Sequence, residues 1–278
     1  MTGALDAHVH LWNRSTDPQP WIDPVAMAAL DRDFGPGDLA AMLDATGMAT
    51  AVVVQSSNSA AETRRLLAHR SNRIAGVVGW LDLSADPAAQ LDRLDPEARR
   101  RLVGVRHLVH LDPDPDWLAR PAVNAGLGRL AEYDLGFDLV VRWWQLTRCV
   151  TVAKAHPDVR FVVDHLGGTA EADDVTGWAR GLRELARLPN VWAKISGLAG
   201  MTGTDGVRRA VRVAIEAFGP GRLMYGSDWP VAELGAGALA WRATVDKLIG
   251  ELSAAERNAI LSGTASAFYR LGEPAPPV

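Results

Sequence analysis

A chain of 278 residues, 48% apolar and 22% charged, is long enough for one large core, and an α/β barrel often runs near this length as one domain, here 1–278. A net charge of −4 gives no electrostatic case for nucleic acid, no apolar run reaches the length of a membrane span, and the lone Cys149 cannot close an internal disulfide. With no charged-then-apolar leader before the first strand, a reducing cytoplasm is expected, with Cys149 as a core residue.

The first strand is read over Leu5-Asp6-Ala7-His8-Val9-His10-Leu11. Alternation places His8 and His10 on one face, with Asp6 one layer deeper. A Pro- and Trp-containing connection over 12–36 follows; it is too long for an ordinary strand-to-helix loop and is expected to be an active-site loop. A helix over 38–46 stops at Gly47, and a second strand covers 49–55. Ser59-Ala60-Ala61-Glu62 has the spacing of a capping box, opening a helix that runs to about residue 71.

Further strands are expected over 74–81, 103–109, 136–142, 159–165, 191–196 and 223–228. Helical segments separate them, including 147–156, 239–252 and 254–261, and the Pro-rich tail 273–278 is expected to fray. All eight strands are apolar enough to be buried on both faces, which belongs to parallel sheets. Eight strand-helix units predict an α/β fold, a single TIM-like (β/α)₈ barrel with its active site at the C-terminal ends of the strands. An open sheet would carry a Gly-rich phosphate loop after its first strand, where this chain has His10-Leu11-Trp12.

The expected strand ends bring together His8, His10, Gln55, Ser56, Ser57, Trp80, Asp82, Arg106, His107, Arg142, His165, Lys194, Ser196 and Asp228. Asp228 is the candidate general base, against the alternative of an Asp capping the turn before Pro230. His165 is a candidate donor to a carbonyl or oxyanion, with a structural histidine as its rival, and Asp164 is expected on the other strand face. Arg106 and Arg142 suit a carboxylate or hydroxyl-rich substrate, and Lys194 is placed with them. Trp12, Trp143 and Trp229 are expected to wall the pocket. His107 should face away from Arg106, and His69, His110 and His156 are read as surface residues.

Five ordered stretches, Asp6 to Trp12, Val141 to Leu146, Phe161 to Gly167, Lys194 to Leu198 and Leu223 to Pro230, together resemble the amidohydrolase superfamily. More narrowly, they resemble its branch of sugar-acid lactonases and 2-pyrone-4,6-dicarboxylate lactonase, over Leu5 to Leu271. The resemblance implies a distorted (β/α)₈ barrel that hydrolyses a cyclic ester, with His8, His10, His165 and Asp228 at active-site positions. Two-metal members carry a bridging Lys on strand four and a His on strand five. Here those strands offer Arg106, His107 and Arg142, so a two-metal site is not expected. One divalent ion, zinc, on His8, His10 and Asp228 stays open beside a metal-free mechanism.

The leading expectation is hydrolysis of a sugar-derived or carboxylated lactone, a small-molecule partner, by base-activated water and with no organic cofactor. A metal-dependent non-oxidative decarboxylase of an aromatic or muconate-like acid and a non-catalytic sugar-acid-binding barrel are the alternatives. No membrane partner is expected, and a homo-oligomer is left open.

Overall fold

In the computed structural model, which describes residues 3–169 and 172–272, eight parallel strands succeed one another around a single sheet in chain order. They are β1 (Leu5–Val9), β2 (Thr50–Val54), β3 (Ile74–Gly79), β4 (Leu102–His107), β5 (Gly136–Leu139), β6 (Phe161–Val163), β7 (Val191–Ile195) and β8 (Leu223–Tyr225). The ring is joined where the chain beyond β8 meets β1. Val9 bridges Trp229, the Asp228 amide donates to the His8 carbonyl at 2.9 Å, and the His10 amide donates to the Trp229 carbonyl at 2.7 Å. The (β/α)₈ barrel expected from the strand count is the architecture observed. The expected frayed tail, 273–278, lies outside the described residues. No helix among the described residues is long and apolar enough to cross a membrane.

Helices cover the outside, and their ends follow local chemistry. Pro36–Thr46 stops at Gly47 in the left-handed conformation, and Thr204 and Asp174 cap the helices Asp205–Phe218 and Val175–Ala186 through their side-chain oxygens. Asp205–Phe218 turns Val207, Ala210, Val211, Ala214 and Phe218 inward at helical spacing. At Ser59 only half of the predicted capping box forms. The Glu62 amide donates to Ser59 Oγ, but the Glu62 carboxylate instead accepts from the amides and hydroxyls of Ser56 and Ser57, holding the turn after β2.

Most strands are shorter than their apolar runs. β1 ends at Val9 rather than Leu11, β5 at Leu139 rather than Arg142, β6 covers three residues rather than 159–165, and β8 ends at Tyr225 rather than Asp228. Apolar composition reports burial, whereas ladder pairing stops at the rim, where the chain turns towards the helices. The expected helix 254–261 is Ala254–Asn258, continued by a wide π turn, Ala259–Gly263, and Thr264–Phe268.

Inside the ring, Leu5, Ala7, Val52, Val54, Val78, Val162 and Met224 pack with Phe268 and Tyr269, which follow from the C-terminal helix. This placement corrects the expectation for Asp6. The register between β1 and β2 shifts between Asp6 and Val9, so Asp6 pairs with Ala51, on the outward side with Val53, while Ala7 and His8 both turn inward. A bulge, invisible to strict alternation, aims His8 at the axis.

Gly226 sits in the seam between β8 and β1. A Cβ there would lie 2.7 Å from the His8 Cβ and 3.0 Å from the Ser196 Cβ. Gly226→Ala is expected to cost about 1–3 kcal/mol by overpacking, read as a lower midpoint in urea unfolding; an unchanged midpoint would mean that the seam yields easily.

Candidate active site

The close of β1 and the turn after β8 hold three groups around one point. His10 Nε2 lies 3.3 Å and His8 Nε2 3.7 Å from Asp228 Oδ1, and all three residues are buried. Asp228 adopts φ 60°, a left-handed conformation that Asp tolerates better than most residues. His10 Nδ1 is 2.8 Å from the Val54 carbonyl, which can only accept, so Nδ1 carries the hydrogen. In neutral His10 the Nε2 lone pair therefore faces a carboxylate oxygen. That opposition is relieved by a cation or by a proton between them.

A layer of buried charge supports this trio. Arg106 Nη1 from β4 lies 3.0 Å from Asp164 Oδ2, and its Nη2 donates to the Gln55 carbonyl. Lys194 Nζ from β7 lies 2.5 Å from Asp138 Oδ2 and 3.0 Å from Asp164 Oδ1. It also lies 3.1 Å from His8 Nδ1, and the Tyr269 hydroxyl donates to Asp138 Oδ2 at 2.8 Å. Burial pushes the Asp138 carboxyl up to about 6 against the pull of Lys194. For Asp164 burial acts in the same direction, but Lys194, His8 and Arg106 outweigh it and hold the carboxyl well below its ordinary range. Asp228 is likewise depressed, with burial overcome by His165, His10 and His8.

His165 follows β6 and would point outward by alternation. Its φ of 55° turns the ring back, and the ring centroid lies 4.7 Å from that of His8. Gly197, at φ 68°, permits this approach, because a Cβ there would meet the His165 ring at 2.5 Å. Ser196 Oγ accepts from the His165 amide and lies 2.9 Å from Nδ1. Among the described residues the Ser196 hydroxyl hydrogen has no other acceptor, so it points at Nδ1 and leaves the proton on Nε2. Burial lowers the pKa of this imidazole, and Asp228 and Asp164 oppose that shift.

Above these groups opens a cavity of about 390 Å³, with His10, Ser56, Arg106, His110, Arg142, His165 and Asp228 among its polar walls. Trp21, Met27, Leu108, Val140, Val141 and Val231 supply apolar wall. Trp21 and Met27 come from the long connection after β1, and Trp21 Nε1 donates to the Ser56 carbonyl at 2.9 Å.

Several expectations need correction. Lys194 does not reach the pocket; it is fully buried beneath it, ion-paired with two carboxylates. Trp12 and Trp229 are core residues packed on Phe34, and Trp143 lies against the helix beginning at Val175, so the indole facing the cavity is Trp21. Asp164 faces the axis and belongs to the site's support. His110, read as a surface residue, lines the cavity. His107 faces away from Arg106, stacked on Trp117 and bonded to Asp112. Cys149 is buried, and burial pushes its thiol up to about 12. Asp138 was missed altogether, though a lone carboxylate in the apolar run Gly136-Phe137-Asp138-Leu139 was the available signal.

The donor set fits a divalent ion. His8, His10 and Asp228 each offer a ligand atom, all within 4.8 Å of one another. Arg106 and Lys194 also leave one negative charge over among Asp138, Asp164 and Asp228.

Comparison with known proteins agrees with this geometry. The amidohydrolase family model matches residues 5–271. An L-fucono-1,5-lactonase of Burkholderia ambifaria is 36% identical, the match covering 99% of this chain and 98% of that protein. An L-fucono-1,5-lactonase of Burkholderia multivorans is also 36% identical, over 98% and 97% respectively. The crystal structure of an amidohydrolase from Burkholderia multivorans with bound zinc superposes with a TM-score of 0.88 at 34% identity, covering 96% of this chain and 99% of that one.

Removing one partner from the buried layer should be costly. Lys194→Met is expected to destabilise the protein by about 3–5 kcal/mol, because Asp138 and Asp164 lose their shared cation. Lys194→Met combined with Asp138→Asn should recover part of that loss in urea unfolding; additive losses would show that the two residues do not act as a pair.

Proposed function

The chain belongs to the amidohydrolase family, and from that premise we propose that it hydrolyses a sugar-acid lactone, with L-fucono-1,5-lactone or a close stereochemical relative as substrate. The observation that carries the reading is the ionised Asp228 carboxylate at the floor of a 390 Å³ cavity, facing imidazoles whose tautomers are fixed from behind. Full-length similarity to two L-fucono-1,5-lactonases supports the substrate class.

Asp228 accepts a proton from water while the water oxygen bonds to the lactone carbonyl carbon. The carbonyl oxygen gains charge, and the donor on His165 Nε2 and the positive charge of the Arg106 guanidinium in the cavity wall stabilise it. The bond from that carbon to the ring oxygen then breaks, Asp228 returns its proton to the departing alkoxide, and the hydroxy acid ionises. A carboxylate held this low is a weak base, so Asp228 works chiefly by position. An ester with an alcohol leaving group asks less of the base than an amide would. Trp21 and the valines beside it give the sugar ring an apolar wall.

His8, His10 and Asp228 would hold one divalent ion, with zinc favoured by two imidazoles and a carboxylate and by the zinc in the similar Burkholderia structure. When bound, such an ion supplies Lewis-acid polarisation at the reacting oxygen.

Proton release from L-fucono-1,5-lactone, followed with a pH indicator, tests the reading directly. Wild type should turn over the lactone, and Asp228→Asn should lower kcat by about 10²–10⁴-fold with the fold intact. Undiminished turnover by Asp228→Asn, or none by wild type on any aldonolactone, would refute it.

A further inference from the structure

One group lining the cavity has no part in the chemistry above. His110 lies in the short turn Val109–Leu111 after β4, where its amide donates to the Val140 carbonyl at 3.3 Å and its carbonyl receives Arg142 Nε at 3.4 Å. The backbone is therefore anchored on both sides. The ring is not: Nδ1 is buried without a hydrogen-bond partner. Buried polar atoms are nearly always satisfied, and an exception points to a cost accepted for another reason. An orphaned N–H is rarer than an orphaned lone pair, so the hydrogen sits on Nε2. Burial, then the charges of Arg106, His165 and Arg142, lower the His110 pKa to about 3 against a smaller opposing effect of Asp164, so the ring stays neutral at physiological pH. A neutral ring with one donor suits an uncharged oxygen, and the positive charge that a carboxylate would seek in the same wall belongs to Arg106 and Arg142.

We propose that His110 is a specificity-determining residue, whose Nε2–H donates to one ring hydroxyl of the bound lactone. This rests on the lactonase reading. The hydroxyl is recognised in the ground state and the transition state alike, so its loss falls mainly on KM.

The test pairs a change in the protein with a change in the substrate. Wild type and His110→Phe are assayed on L-fucono-1,5-lactone and on analogues deoxygenated at one ring carbon at a time. His110→Phe should lower kcat/KM on the parent lactone by 10- to 100-fold, mainly through KM. On one deoxy analogue the two enzymes should be equal, while the other analogues keep the difference. Because the substitution removes an unsatisfied atom, its Tm should not fall; His110→Gln, which retains a donor, should regain part of the loss. If His110→Phe does not fold, His110→Met carries the same comparison. An equal loss on every analogue, or no loss on the parent, overturns the proposal. Should wild type open no lactone, the lactonase reading fails separately, and calorimetric binding of L-fuconate decides the matter for His110. Binding at least tenfold tighter by wild type than by His110→Phe supports its role, and equal affinities, including no binding by either, overturn it.

Discussion

Two backbone hydrogen bonds, from Asp228 to His8 and from His10 to Trp229, join the ends of the barrel and make the site in the same act. Residues 218 positions apart are thereby brought within 3.3 Å. The bond from the Ser227 amide to Asp6 and the bond from Trp241 Nε1 to the Gly226 carbonyl brace the same turn. These partners help hold Asp228 in its left-handed backbone, since such conformations persist where the surroundings over-determine them. Closing the fold and aiming the base are thus one constraint.

Beneath the seam lies a layer that a fold chosen for stability alone would not contain. Asp138, Asp164, Lys194 and Arg106 are all buried, and an apolar layer of similar volume would often be as stable or more so. Their effect here is orientation. Lys194 and Asp164 both reach His8 Nδ1, Arg106 is held by Asp164 and Gln55, and neither ring nor guanidinium can turn without uncovering a buried charge. Arg106, Asp138 and Lys194 stand on β4, β5 and β7 and hold one another and Asp164, the condition for preorganised electrostatics.

The eight strands were legible in sequence because most are β-rich runs with few polar residues, and the His8, His10 and Asp228 grouping followed from placing strand ends on one rim. What could not be read depends on departures from regular geometry. The bulge in β1 sends Asp6 outward, and the left-handed backbone at His165 lets its ring turn into the site although Asp164, expected on the other strand face, already faces the axis. Lys194 was read as a substrate-binding residue because its partners, Asp138 on β5 and Asp164 just past β6, lie 56 and 30 positions earlier in the chain. Trp12, Trp143 and Trp229 were chosen for standing just past strand ends, but the long connection folds Trp12 against Phe34 and offers Trp21 instead. His110 was missed because a short turn after β4, not a strand, brings it to the cavity.

The claim on which all this depends is that the seam and the cavity above it are where the reacting carbonyl sits. A crystal structure with the hydrolysed sugar acid tests it most directly. The account predicts the product's carboxylate between Asp228 with His10 and the His165 Nε2 donor, beside the Arg106 guanidinium, its carbon chain against Trp21. Density for the sugar acid in the groove beside Phe34 and Leu239, with the space above Asp228 filled only by solvent, would contradict it.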